Sequence, residues 1–573
     1  MSIGVMHESD GLKWTRLRGC GVAVIALLLC LTAAIQDALA LPSNNVPLDN
    51  WSYAALDKLA GFDLIHSDVH GMRPYSRLEV ARLVNEALNS KEEKKLELPP
   101  IVEHLLKRFQ REFREELTVY GRGRQDNPAA LVVKPIEDAR ARYVYSDGQP
   151  RDFLNVIGGI RQYPQGSCGI IASEGTPLVH DNEGVVYGRG NNFTLQFASS
   201  FQLWDVFSGY LEPILIEREN ATQGRSIGLD ERTVGGLDNT DCYLLKGYVK
   251  FSPFDSFEME FGRDSMWWGQ GDRGTLILTD NAPPLDMLKV SNPTPSFLPW
   301  FFSYLGPFKY TLFCAVLEND RDYPYTRYGG ARIDFKPTPN LEIGMSHTFQ
   351  FGGTGSPSSS SFLNYLELVS LSKTATNDLE NHEVAIDFRY RMPFLQNAEV
   401  YAEYGGEDTG LKPNIREFLF QDIGYILGVY FPKITGDGRT DLRIEYADDV
   451  NEPGSKLRGM WYTHSVYTSG MTYQGLILGH PMGPDARDGF ARVSRYLRDN
   501  LKVGVDIEYT QRGRNLAPAV EAVYQTGADV TYDINAALSA MLRYGFAEVR
   551  NFDLVEGNDR QDNLLMLEVK YTF

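Results

Sequence analysis

The residues best suited to chemistry stand together in Phe261-Gly262-Arg263-Asp264-Ser265-Met266-Trp267-Trp268-Gly269-Gln270-Gly271, followed by an apolar run that reaches Asn281. Two adjacent indoles offer flat apolar faces, while Arg263, Asp264, Gln270 and Asn281 supply hydrogen-bond donors and acceptors. A second block, Gly475-Leu476-Ile477-Leu478-Gly479-His480-Pro481-Met482-Gly483-Pro484-Asp485, places His480 and Asp485 in turn-forming surroundings. Both blocks also have a plainly structural reading. A Gly-rich Trp-Trp-Gly turn that ends a strand can fold back and pack inside the lumen, and this packing role ranks ahead of direct ligand contact. For His480, a position between Gly479 and Pro481 answers a backbone requirement before a catalytic or metal-binding one.

Catalytic patterns are lacking. His347, His464 and His480 are available beside many Ser and Asp residues, yet no spaced Ser/His/Asp set and no metal-ligand spacing emerges. The sequence therefore points away from an enzyme, with no catalytic residues, no metal and no cofactor expected. Beyond residue 40 three cysteines remain, Cys168, Cys242 and Cys314, an odd count that permits at most one internal bridge. A Cys168–Cys242 bridge is conceivable in an oxidising compartment, but free thiols are the first expectation.

The elements that must hold these blocks are strands. Val384, Ile386, Phe388 and Tyr390 alternate with Glu383, Asp387, Arg389 and Arg391, and the same period of two recurs at 442–446, 503–509 and 257–261. It continues to the last residues, Leu567-Glu568-Val569-Lys570-Tyr571-Thr572-Phe573, as in an outer-membrane barrel that closes on its last strand and offers a terminal aromatic to its assembly machinery. Residues 119–573, at about 25 residues per strand with its connection, give about 18 strands. The expected fold is mainly β: a large antiparallel transmembrane β-barrel with lipid outside, a charged lumen and both ends periplasmic. Residues 147–191, 217–241, 264–308, 352–381 and 405–421 are candidate outer loops or plugs, too long for tight turns. Ser296 to Tyr304 is too apolar for a binding loop and fits the membrane interface, the level that Trp and Tyr favour.

The N-terminal part differs. Lys13, Arg16 and Arg18 precede an apolar run and Ala38-Leu39-Ala40, so residues 1–40 read as a cleaved export signal. Residues 41–118 read as a small periplasmic bundle of three helices, starting at Trp51, at the capping box Ser76-Arg77-Leu78-Glu79, and at Pro100. After residue 40 the chain keeps 53 basic against 72 acidic residues, and its net charge of −19 argues against a nucleic-acid partner. The 31 Tyr, 30 Phe and 53 Gly suit aromatic girdles and frequent turns.

The first block resembles the G-R-(D/E)-x-x-W-W-G-x-G motif of the Wzi family of outer-membrane capsule-assembly proteins, and the second is similar to that family's late L-G-H-P-x-G motif. The resemblance covers most of residues 50–573. It implies a lectin-like role: binding a surface polysaccharide, capsular or related, and helping to organise it without catalysis, from a monomer in the outer-membrane lipid. Val46 to Leu83 also resembles one S-layer-homology repeat, a module associated with wall polymers. A single copy favours a brace under the barrel over a peptidoglycan anchor. A porin or polysaccharide export channel is the alternative, and a hydrolase the third reading.

Overall fold

The computed structural model describes residues 43–122, 131–154, 170–204, 206–221, 225–227, 232–234, 237–254, 256–369, 379–407, 423–450, 461–515 and 519–573. The expected export signal and Cys168, with its conceivable bridge, lie outside the described residues. Cys242 and Cys314 are unbridged.

Eighteen antiparallel strands close into one barrel. The first nine are β1 Leu131–Ser146, β2 Gly190–Leu203, β3 Phe207–Arg218, β4 Thr240–Phe254, β5 Phe257–Asp264, β6 Leu285–Ser291, β7 Pro307–Val316, β8 Arg327–Thr338 and β9 Leu341–Phe351. The others are β10 Asn381–Met392, β11 Ala398–Glu407, β12 Ile423–Phe431, β13 Thr440–Asp448, β14 Ala486–Arg498, β15 Leu501–Arg512, β16 Glu521–Asp533, β17 Leu538–Arg550 and β18 Arg560–Thr572. Closure comes from pairing of β18 with β1, in which Val569 opposes Ala141. Side-chain alternation sets the two faces as expected. In β10, Ile386, Phe388 and Tyr390 are exposed on the outer wall while Glu383, Asp387, Arg389 and Arg391 are buried in the lumen.

Connections at one end are short, such as 255–256, 339–340 and 499–500, and at the other they are long, such as 147–189, 265–284, 352–380 and 449–485. Gln396 and Asn397 both adopt positive φ, which turns the chain from β10 into β11 at the short end. Four helices pack at that end: α1 Trp51–Gly61, α2 Arg77–Lys94, α3 Pro100–Glu112 and α4 Arg114–Arg122. Ser76 caps α2 by accepting a hydrogen bond from the Glu79 N–H at 3.1 Å. The helix beginning at Pro100 breaks at Phe113, where α3 gives way to α4, and the first strand starts at Leu131. The bundle buries its own core, including Leu59, Val84, Leu105 and Phe109. It is tied to the barrel through Lys58 to the Pro432 carbonyl (2.9 Å) and Arg108 to Asp533 (2.6 Å).

Two expectations need correction. Residues 264–308 are not one outer connection: β6 divides them, so Ser296 to Tyr304 lies at the bundle end, opposite the Trp267–Trp268 loop. Strand β6 escaped detection because both of its faces carry apolar groups, Met287 inward and Leu288 outward, which blurs a period of two. The long connection 449–485, which carries the His480 block, was also absent from the expected set.

Candidate functional site

The chain between α1 and α2 rises into the lumen and is held there by buried charge. Asp68 accepts from Lys336 at 2.6 Å, from Arg391 at 3.0 Å and from His70 at 2.7 Å. The backbone N–H groups of His70 and Gly71 donate to the Glu342 carboxylate at 2.9 and 2.8 Å. Gly71 is required by space, because a Cβ there would overlap the Arg332 guanidinium and crowd Asp334 and Gln270. The next residues, Met72 and Arg73, form a two-residue antiparallel ladder with Trp268 and Trp267.

Loop 265–284 comes down to meet this strap from the other end. Trp268 is 1% exposed and meets the Phe313 ring edge-on at 5.2 Å. The Trp268 backbone N–H donates to the Leu278 carbonyl at 2.9 Å, and the Gly269 N–H donates to the Gly71 carbonyl at 2.9 Å. Gln270 saturates its amide: Nε2 donates to Glu342 (2.9 Å) and Asp387 (2.8 Å), while Oε1 accepts from Arg389 (2.9 Å). Glu403 gathers the N–H groups of Gln270, Gly271 and Leu276 at 2.6, 2.8 and 3.0 Å. Arg273 reaches across to Glu508 at 2.6 Å. The lumen charges are thus fasteners for an inserted loop.

The second block locks onto the first. Thr279 N–H donates to the Leu478 carbonyl (2.8 Å), and Asn281 Nδ2 donates to the Ile477 carbonyl (2.9 Å). Tyr462 bridges the two loops, its hydroxyl donating to the Leu276 carbonyl (2.8 Å) and accepting from the His480 backbone N–H (2.8 Å). His480 Nδ1 accepts from the Met482 N–H at 3.2 Å, so this nitrogen carries no proton. Burial, with Arg273 nearby, pushes the His480 pKa down to about 3. Asp485 accepts from the Asn515 N–H and side-chain amide at 2.8 and 2.9 Å.

Of the eight residues singled out from sequence, five meet in this plug: Trp267, Trp268, Gln270, Asn281 and His480. Asp264 lies buried on the lumen wall, where it accepts from Asn45 Nδ2 at 2.7 Å, and Asp485 lies at the loop end of β14. Arg263 is apart from all of them, on the outer wall, where it pairs with Asp286 at 2.6 Å. Trp267 faces an internal chamber of about 260 Å³ between plug and bundle, shared with Asp272 and Asp280. Neither indole opens toward the long loops.

What does open there is a cleft of about 450 Å³. Its lining includes Gln149, Asp152, Tyr187, Arg189, Asn220 and Gln474, with Pro283 and Leu476 contributed by the two plug loops. Arg189 is exposed, whereas Tyr187 is buried and its hydroxyl accepts from Arg142 at 3.1 Å. Gly184 (φ +65°) seals the floor against Pro283, where a Cβ would overlap the proline. Sequence reasoning missed this cleft because its residues come from four connections with no shared spacing. The adjacency of Gln474 to the Gly475-Leu476 block was the one local signal.

Among the described residues no group of three or more His, Cys, Asp or Glu is placed to hold a metal ion. A Klebsiella pneumoniae protein described as an uncharacterized 55.8 kDa protein in the cps region is 28% identical over 237 residues, 40% of this chain and 42% of that relative. The chain thus spans less than half the length of the curated relative it matches. The solved structure of Wzi, described as an outer membrane protein involved in group 1 capsule assembly in Escherichia coli and a carbohydrate binding β-barrel, aligns with a TM-score of 0.63 at 16% identity. That alignment covers 94% of this chain and 100% of the other, and it shows the shared fold. Residues 160–564 match the family described as capsule assembly protein Wzi. This match takes in both of the blocks that interlock inside the barrel, and the chain belongs to the Wzi family of capsule assembly proteins.

Proposed function

We propose that the protein is an outer-membrane lectin-like barrel that binds a surface polysaccharide, capsular or related, at its long-loop end and assists the assembly or attachment of that polymer. The observation that carries this reading is the outer cleft: a concave site with exposed hydrogen-bonding side chains, to which the two plug loops contribute Pro283 and Leu476. In it Gln149, Arg189, Asn220 and Gln474 match sugar hydroxyls or carboxylates. Trp267, Trp268, Gln270, Asn281 and His480 act as the scaffold that shapes it. The porin alternative needs a continuous aqueous path, whereas the strap and two loops cross the lumen of this barrel.

The same reading takes residues 1–40 as a leader removed on export, the mature protein as a non-catalytic monomer inserted by the outer-membrane assembly machinery, and the helical bundle as a periplasmic brace within reach of peptidoglycan. The test is binding of the refolded protein to its own organism's isolated surface polysaccharide, with an unrelated glycan as control. Selective binding that falls in Arg189→Ala/Gln474→Ala while the barrel stays folded supports the cleft. Equal binding to both glycans, or none to either with large conductance in planar bilayers, overturns it.

A further inference from the structure

The outer cleft has a rim and a floor of opposite chemistry, and we propose that the floor is a specificity pocket for a sugar residue that carries a methyl-terminated substituent: a 6-deoxy carbon, an acetyl group or a pyruvate ketal. The inference rests on the polysaccharide reading above and names the feature of the polymer that the site selects. The rim is polar. Gln149, Arg189, Asn220 and Gln474 are all exposed there, and the Asn220 side-chain amide donates to the Arg189 carbonyl at 3.0 Å, which ties two sides of the rim together.

The floor is aliphatic, with Pro177, Val186, Pro283 and Leu476 drawn from three connections. Gly175, which also lines the cleft, stands between two of them. A Cβ added to Gly175 (φ +82°) would lie 3.2 Å from Leu476 Cδ2 and 3.4 Å from Val186 Cγ2. The missing side chain leaves a dimple walled by these two aliphatic groups.

Main-chain groups around the dimple are already engaged. The Gly475 carbonyl accepts from the Ser173 N–H (2.8 Å) and the Val186 carbonyl from Arg218 Nε (2.8 Å), while the Gly175 N–H donates to Ser173 Oγ (3.2 Å) and the Tyr187 N–H to Thr176 Oγ1 (2.7 Å). A stacking platform is missing too. Tyr187 is the one aromatic residue of the lining among the described residues, and it is buried, with its hydroxyl held by Arg142. An exposed ring is what grips a sugar by its flat C–H face. An aliphatic dimple instead favours a methyl group, which gains from leaving water, over a hydroxyl, which would lose its water without a new hydrogen bond. Charge enters the lining through Asp152 and Arg189, so the exposed guanidinium can take the carboxylate that accompanies a pyruvyl methyl.

The experiment measures binding of the detergent-solubilised protein to its own organism's surface polysaccharide in three forms: native, O-deacetylated with mild alkali, and freed of pyruvate ketals with mild acid. Competition against the native polymer by L-rhamnose or L-mannose, L-fucose or L-galactose, and N-acetyl-D-glucosamine or D-glucose reports 6-deoxy and N-acetyl methyls. The expected result is that at least one of these arms favours the methyl-bearing member by about tenfold or more. Val186→Thr, which places a hydroxyl in the dimple wall, should narrow that preference while the thermal midpoint holds. Equal binding of all three polymer forms, with equal competition within every sugar pair, would overturn the pocket and leave the polysaccharide reading standing. Failure to bind the native polymer would remove that reading, and the pocket with it.

Discussion

Met72, carried into the barrel from the bundle end, lies opposite Trp268, carried in from the loop end, in an antiparallel ladder at mid-lumen. Neither segment can leave without breaking backbone hydrogen bonds to the other and exposing the buried indole. The two ends of the molecule are therefore mechanically joined through its interior.

Gly71→Val tests that joint. The added side chain collides with Arg332, Asp334 and Gln270 and expels the strap. The wild type should show little current in planar bilayers, and the variant should show discrete openings together with a lower thermal midpoint, since 18 strands enclose an aqueous channel once emptied.

Trp268→Ala removes a fully buried indole from contact with Phe313 and from the plug core. The expected loss is about 3–5 kcal/mol of stability, measured by denaturant unfolding of the detergent-solubilised protein. Polysaccharide affinity should fall with it, because the cleft floor rests on this loop. Arg263→Ala, on the outer wall, should leave both unchanged within about 0.5 kcal/mol.

Asp68→Ala leaves Lys336 and Arg391 facing each other without their shared carboxylate. Breaking a buried ion pair by removing one partner costs about 3–5 kcal/mol. A double change to Asp68→Ala/Lys336→Met should recover part of that loss, which a double-mutant cycle would read.

His480 gives the plug a pH dependence. Its folded pKa, pushed down to about 3, lies below the unfolded value of 6.5. The unfolded chain then binds a proton that the folded plug refuses, so this residue's share of stability is complete above about pH 6.5 and is lost as the pH falls from there toward 3. Melting midpoints of the wild type should drop between pH 7.5 and pH 4 by more than those of His480→Asn, whose side-chain oxygen can still accept from the Met482 N–H.

Recurrent strand alternation such as that of Val384 to Arg391 made one apolar and one charged face legible without coordinates, because a pleated strand sends neighbouring side chains to opposite faces; the choice of a barrel over a soluble sandwich also needed the export-signal pattern of residues 1–40 and the aromatic Phe573. The capping box at Ser76 determined where α2 begins, and the paired Trp-Trp-Gly and Gly-His-Pro blocks marked the segments that matter. What those segments do was decided by tertiary structure. That Gln270 meets Glu342, Asp387 and Arg389, and that Asn281 reaches Ile477, depends on partners 70 to 200 residues away brought together by closure of the ring. The outer cleft was equally out of reach of sequence, since Gln149 and Arg189, Asn220, Pro283 and Gln474 become neighbours only when four separate connections converge over one rim.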